Sequence, residues 1–176
     1  GADASALLTP DTYNLQVRAS QMRLVAEKAP PAPSGQTLTV TAGQCSTKLV
    51  IEPVASDGSQ GIIFTSSNIS VTGVLGSDAK VYTDAACTNE VVPTALPLTA
   101  STGPNFNTEF YIQDPVGENL VLNVSDGSGD LGTLSTPQDV LILASDIAFS
   151  GPSSVVSGQC SSAFTVTLRD TQNNNV

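Results

Sequence analysis

Three cysteines are the residues of this chain best suited to covalent or metal chemistry. Cys45 and Cys87 are 42 residues apart, and Cys160 follows much later. The chain contains no histidine, so one cysteine pair falls short of the four ligands that a structural zinc ion needs. In an exported β-domain such a pair is far more often a disulfide than a redox or zinc site. We therefore predict a Cys45–Cys87 disulfide and neither a metal nor a cofactor.

Carboxylates form the second group of reactive side chains, and many of them fall at predicted turns. The turn carboxylates are Asp57, Asp114, Glu118, Asp126 and Asp130. Aspartates at turns accept hydrogen bonds from their own backbone, and this is the interpretation we favour. The alternative is a Ca²⁺ ion between domains, because Ca²⁺ takes carboxylate and carbonyl oxygens. Only the stretch from Asp126 to Asp130 is dense enough to be a calcium candidate, and it lacks EF-hand spacing.

Catalytic patterns do not occur in the sequence. No serine lies in a Gly-x-Ser-x-Gly elbow, and a chain without histidine has no ordinary Ser-His-Asp triad. Two carboxylates can hydrolyse a glycoside, but any acidic protein offers such pairs. We predict that the chain is not an enzyme.

Composition restricts the class of partner and the location. The 176 residues carry a net charge of −10, and only 12% of them are charged. A nucleic-acid-binding protein needs a basic face, which this composition does not supply. No apolar run approaches the roughly eighteen residues of a membrane helix. The first residue is Gly1 rather than Met, so we predict an exported, extracellular or cell-surface protein whose signal peptide has been removed.

One stretch of sequence occurs twice. Gly-Gln-Cys-Ser stands at 43–46 and again at 158–161, and alternating apolar residues follow each copy. Further upstream, residues 19–24 align with residues 144–149. The first copy is the longer one, and its Pro-rich segment 29–35 is the insertion. A repeat of this length is typical of domains arranged in tandem.

Short alternating segments, separated by Gly, Pro, Asp and Ser turns, run through the whole chain. This pattern predicts an all-β fold, an antiparallel β-sandwich. The repeat divides the chain into a lead-in at 1–14, a sandwich at 15–136 and the start of a second, incomplete copy at 137–176. The residues predicted to face the core are Val40, Leu49, Ile51, Phe64, Val71, Val81, Phe110, Ile112, Leu120 and Leu122.

Three segments resemble bacterial immunoglobulin-like domains of the invasin and intimin type, which occur in tandem in cell-surface proteins. They are residues 42–45 with the alternating strand that follows, residues 81–88, and residues 108–114 with the strand after them. The segment 168–176 is similar to the Asp-x-x-Gly-Asn-Pro-Val turn of such repeats, with Asn173 at the usual glycine position. The resemblance implies an immunoglobulin-like sandwich in a tandem array.

The resemblance also implies a structural or adhesive function, as a stalk segment of an adhesin or surface fibre. Its partners would be neighbouring repeats of the same or another chain, or a surface receptor or glycan. One alternative is a ligand-binding accessory module, for which Tyr82, Phe106, Phe110 and Tyr111 supply the aromatic residues. Another is a subunit that polymerises by strand exchange. The repeat leaves Cys160 unpaired, because its expected partner falls near position 202.

Overall fold

The computed structural model describes residues 17–26, 37–74, 78–98, 108–127, 131 and 137–176. Every regular element in these ranges is a β-strand, so the prediction of an all-β fold is confirmed. The strands are β1 (Gln21–Ala26), β2 (Leu38–Thr41), β3 (Leu49–Val54), β4 (Ser67–Thr72), β5 (Lys80–Tyr82), β6 (Glu90–Val91), β7 (Leu96–Leu98), β8 (Thr108–Gln113), β9 (Asn119–Asp126), β10 (Gln138–Leu143), β11 (Asp146–Ser150) and β12 (Thr165–Arg169).

Alternation of apolar and polar residues determines which face of each strand is buried. In β9 the side chains of Leu120, Leu122 and Val124 are buried, and the residues between them face outward. β8 and β10 show the same alternation. Because successive side chains of a strand point to opposite faces, this pattern requires one face packed on a core and one face in water.

The strands form three sheets. Sheet I has the order β1-β3-β8-β5-β6, sheet II has the order β2-β10-β9-β4-β7, and β11 pairs with β12 alone. Buried residues of sheets I and II belong to one hydrophobic cluster, which gives a sandwich-like arrangement. The pairing is antiparallel between all these neighbours except β2 and β10, which run parallel. The predicted purely antiparallel sandwich is therefore wrong at this one pair.

Nine of the ten predicted core residues are buried in the structure. The exception is Phe64, whose side chain is 52% exposed, whereas its neighbour Ile63 is 6% exposed. The apolar run at residues 62–65 predicts a strand, but the segment forms only isolated bridges, one of them between Ile62 and Arg18. A shift of one residue moves side chains to the opposite face, which explains why Ile63 occupies the position expected for Phe64.

The predicted boundary at 137 lies on the wrong side of a strand. β10 pairs with β2 and with β9, so Gln138–Leu143 belongs to sheet II. The strand pairs of the sandwich end at Leu143, and β11 begins a separate pair at Asp146. The predicted lead-in at 1–14 and the Pro-rich segment 29–35 lie outside the described residues.

Replacement of Phe110 by alanine should lower the free energy of unfolding by about 3–5 kcal/mol, because it empties a fully buried aromatic site. Phe64→Ala is the matched control, and its exposed ring predicts a change within about 0.5 kcal/mol. Urea denaturation followed by circular dichroism measures both variants. Equal losses for the two would contradict this assignment of the core.

Candidate functional site

The predicted disulfide is present. Cys45 and Cys87 are joined with an S–S distance of 2.06 Å and a Cα–Cα distance of 5.7 Å. Cys45 precedes β3, and Cys87 lies in the turn between β5 and β6. Asp84 organises that turn by accepting hydrogen bonds from the backbone N–H groups of Ala86, Thr88 and Asn89. The bond from Asn89 is the largest of the effects that lower the pKa of Asp84.

Asp126, one of the two calcium candidates, accepts hydrogen bonds from within the protein. Its side chain is buried and accepts hydrogen bonds from the Ser67 hydroxyl and from the backbone N–H of Leu131. Asp130 lies outside the described residues. Among the residues that the structure describes, no three His, Cys, Asp or Glu side chains are arranged to hold a metal ion.

The loop between β8 and β9 contains a buried carboxylate. Asp114 is fully buried; its Oδ1 accepts a hydrogen bond from Val116 N–H, and its buried Oδ2 has no such partner. Burial raises the pKa of the nearby Glu118, and the neighbouring Asp114 carboxylate and the negative charge of Asp78 raise it further. A proton on Glu118 is therefore favoured over a second negative charge beside Asp114.

A turn after β12 packs on the same loop. Asp170 is buried, and its carboxylate accepts hydrogen bonds from the backbone N–H groups of Gln172 and Asn174 at 2.9 Å each. Burial raises the pKa of Asp170, but the hydrogen bonds from Asn174, Gln172 and Gly117 outweigh it and hold the pKa below its ordinary value. Asn173 has a φ of 69°, the left-handed conformation that glycine would adopt in the turn implied by the resemblance.

Polar contacts connect this turn to the end of the sandwich, and we call the contact region the joint. Thr171 donates from both N–H and Oγ1 to the carbonyl of Pro115, at 3.2 and 2.7 Å. Gln172 Nε2 donates to Asp78 Oδ2 at 3.2 Å. A side chain at Gly43 would lie 2.7 Å from the methyl group of Thr171, so the joint requires glycine at this position.

The β11–β12 pair repeats the β1–β3 pair in register. The sequence alignment equates residues 21–25 with 146–150 and residues 50–54 with 165–169. Both strand pairs are antiparallel, and every aligned residue has the aligned partner opposite it. Two examples are Met22–Pro53 with Ile147–Leu168, and Leu24–Ile51 with Phe149–Val166.

The turns around these strands also repeat their hydrogen bonds. Gly58 and Asn173 are aligned, and both have a positive φ, of 81° and 69°. Gly43 and Gly158 are aligned as well, with φ values of 75° and 82°. The aligned backbone bonds are Gly58 N–H to Ala55 O with Asn173 N–H to Asp170 O, Gly61 N–H to Pro53 O with Val176 N–H to Leu168 O, and Ser20 N–H to Val54 O with Ser145 N–H to Arg169 O.

The two strand pairs differ in burial. Met22, Leu24 and Ile51 are at most 3% exposed, whereas the aligned Ile147, Phe149 and Val166 are 61–66% exposed. These side chains, with Phe164 and Leu168, form an exposed set that we call the apolar face. The rings of Phe149 and Phe164 stack with their centroids 5.2 Å apart. Several large apolar side chains that are exposed side by side mark an interaction surface.

Other predicted site residues do not form a binding platform. Phe110 and Tyr82 are buried, Tyr111 is half-buried, and Phe106 lies outside the described residues. An open cavity of about 310 Å³ lies beside the joint, lined by Gly43, Asp78, Lys80, Tyr82, Gln113 and Pro115. Lys80 pairs with Glu90, and the Tyr82 hydroxyl donates to Gln113, so these lining groups already have partners. Cys160 is a free, exposed thiol.

No family model, curated protein or solved structure matches this chain. Within the described ranges, no helix has the length and hydropathy needed to cross a bilayer. The candidate functional surfaces are therefore the joint and the apolar face, and the resemblance to bacterial immunoglobulin-like repeats stays a prediction.

Replacing Cys45 and Cys87 together by alanine should lower the free energy of unfolding by at most about 4 kcal/mol, the chain-entropy figure for this loop length. Cys160→Ala is the matched control, and removal of its exposed thiol should change stability by less than about 0.5 kcal/mol. Urea denaturation without reductant measures both. An unchanged denaturation midpoint for the double variant would contradict a stabilising disulfide.

Glu118→Gln should raise the thermal midpoint at pH 7, because a neutral amide donates to Asp114 without adding a charge. The raised pKa of Glu118 means that its contribution to stability is complete at low pH and is lost as the pH rises through that pKa. The advantage of the variant should therefore disappear in acid, where Glu118 itself is protonated. Scanning calorimetry between pH 3 and 8 measures this.

The matched control is Glu109→Gln, which removes an exposed ion pair with Lys48. This variant should lose a little stability at neutral pH, since such pairs contribute about 0–1 kcal/mol. A Glu118→Gln protein that is less stable than the parent at pH 7 would show that Glu118 acts as a favourable anion.

Proposed function

We propose that this chain is a non-catalytic structural segment of an exported bacterial surface protein, in which immunoglobulin-like sandwich units follow one another as a stalk. The observation that carries the proposal is the shared register and turn hydrogen bonding of β1–β3 and β11–β12. Two unrelated strand pairs have no reason to agree residue by residue. In this proposal β11 and β12 are the first strands of a second unit.

The strand order supports the immunoglobulin-like assignment. Immunoglobulin sandwiches have one sheet of strands A, B, E and D and another containing G, F and C. In this chain β1-β3-β8-β5 matches the first order, and β10-β9-β4 matches the second. The parallel partner of β10 is β2, so the first strand of the fold is divided between the two sheets. The short strands β6 and β7 are then this chain's own additions between D and E.

Exposure of the apolar face supports an incomplete second unit. In the first unit the aligned residues are covered by the core between sheets I and II. Residues 153–156 align with β2 but form no strand, and among the described residues no counterpart of β10 pairs with them. Val155 is 51% exposed, although the aligned Val40 is 5% exposed. The missing coverage corresponds to the strands that a completed unit would add.

The joint supports a stalk rather than a flexible string. Only two residues, Ala144 and Ser145, separate the end of β10 from the start of β11, so the linker is very short. Thr171, Gln172 and Asp170 add side-chain contacts to the first unit. A short linker with a polar docking contact holds neighbouring units in one orientation, which a rod needs if it is to hold a binding tip away from the cell.

The Cys45–Cys87 bond supports export, because disulfides persist in oxidising compartments. The adhesive role and its partners, whether a surface receptor or a glycan, form part of the same proposal. A second candidate is a filament subunit whose apolar face is covered by strands of a neighbouring molecule. The exposed face favours that candidate, since unpaired strands invite pairing with other chains.

Appending residues 62–143 directly after Val176 should complete the second unit. Val176 aligns with Gly61 through the same backbone bond, so this fusion continues the repeat in register and supplies a second copy of Cys87. We expect a monomer without a free thiol, whose β11 and β12 amides exchange much more slowly than in the parent chain. Thiol titration, light scattering and hydrogen exchange measure these three properties.

The control carries Phe110→Asp in the appended copy only, which prevents a second core from forming. In this control Cys160 should stay reactive, and the backbone amides of β11 and β12 should exchange hydrogen as fast as they do in the parent chain. If the fusion without Phe110→Asp behaves like this control, the second unit does not exist as proposed. If the parent alone forms concentration-dependent filaments, the filament candidate replaces the stalk.

A further inference from the structure

One edge of strand β12 is paired only at its C-terminal end in the part of the chain that the structure describes, where Leu168 O accepts from Val176 N–H and Arg169 forms a bridge with Asn175. Its aligned strand β3 pairs with β1 on one side and with β8 on the other. β12 pairs with β11 on the first side. From Phe164 to Val166 the second side therefore exposes backbone N–H and C=O groups beside the apolar face, and such an edge is a template for a further strand.

The first unit specifies how that further strand would lie. Phe110 of β8 stands opposite Leu49, and Gln113 forms a bridge opposite Cys45. Leu49 aligns with Phe164, and Cys45 aligns with Cys160. A strand added to β12 in this register therefore has its third residue opposite Phe164 and its sixth residue opposite Cys160.

We propose that the free edge of β12 is an acceptor site for one antiparallel strand of the β8 type, supplied by the remaining sequence of the second unit. The partner is an extended segment of about six residues with apolar side chains at alternate positions. This proposal depends on the equivalence of β3 and β12 proposed above. It adds that the site is formed before the rest of the second unit is present.

The apolar face is prepared for such a partner. Phe149 and Phe164 already stack, and the Phe164 ring lies over Gly151, where a Cβ would be 2.1 Å from it. Phe164 is still 51% exposed. A partner residue in the position of Phe110 would cover this ring, and aromatic cross-strand pairs stabilise a sheet more than Ala–Ala pairs do.

One residue predicts the charge preference of the site. In the first unit Lys48 forms a 2.9 Å ion pair with Glu109 of β8. Ala163 aligns with Lys48, so the acceptor has no cation there. The chain as a whole carries a net charge of −10. A partner strand with a neutral residue at the Glu109 position should therefore bind better than one with glutamate.

Disulfide trapping with a peptide tests both the site and the register. The probe is a capped peptide of residues 108–114 with Gln113→Cys, incubated with the intact chain in a glutathione buffer. Opposite residues in an antiparallel pair have Cα atoms about 4.5–5.5 Å apart, within the range of a disulfide. We expect at least ten times more peptide–Cys160 adduct than with a scrambled peptide that keeps its cysteine in place. Intact-mass spectrometry measures the adduct.

Two controls distinguish pairing of the peptide in the proposed register from a general affinity of the peptide for the chain. A peptide with Glu109→Cys and the native Gln113 places its thiol opposite Thr165 and should fall to the scrambled level. A Phe164→Asp chain should also fall to that level, while its Cys160 reacts normally with a small maleimide. Replacing Glu109 by threonine in the register peptide should increase the adduct.

Equal adduct from the register and scrambled peptides would overturn the acceptor site. If the fusion with residues 62–143 folds nevertheless, the tandem function survives and only the preformed site is wrong. If the parent chain dimerises through β12 without peptide, then a second copy is the occupant and the proposal is likewise overturned.

Discussion

Burial of β3 within the sandwich is the interaction on which the rest of the structure depends. Leu49 and Ile51 are completely buried, and β3 is hydrogen-bonded to strands on both sides. Because side chains alternate along a strand, placing these two residues inward fixes the register with β1 and β8 together. The same register brings Cys45 next to the turn that carries Cys87. β12 has the same residue pattern but pairs with β11 alone, and its apolar residues are exposed to water.

The comparison of β3 with β12 isolates what tertiary packing contributes. Pairing with one neighbouring strand, the turn hydrogen bonds and the left-handed turn residues all occur in both copies. The formation of these features therefore requires only the local sequence and one partner strand. Burial of large apolar side chains, about 1.5–3 kcal/mol for each when complete, needs the second sheet as well. A two-stranded pair alone is marginally stable in water, and here it is supported by the joint.

Much of the fold could be predicted because it depends on local alternation. β8 and β9 alternate over six and eight residues, and their buried faces follow directly from the sequence. Phe64 was misplaced because its segment forms only a bridge, so no ladder determines its register. The boundary at 137 was wrong because the sequence repeat that placed it does not show the partners of β10, which are the preceding strand β9 and the distant segment Leu38–Thr41. The joint was not predicted, since Thr171 contacts a carbonyl 56 residues earlier. The raised pKa of Glu118 likewise depends on a buried neighbouring carboxylate that the sequence does not reveal.

The position of the joint has a consequence for the order of events during biogenesis. All of its contacts from the C-terminal side come from residues just after β12, so they need none of the strands that would follow. In a chain that leaves a ribosome or an export channel from its N-terminus, a folded unit can thus anchor the first hairpin of the next one as soon as that hairpin emerges. Each finished unit would act as a template for its successor. Such vectorial folding keeps only one unfinished edge exposed at a time and limits pairing between the similar strands of different repeats.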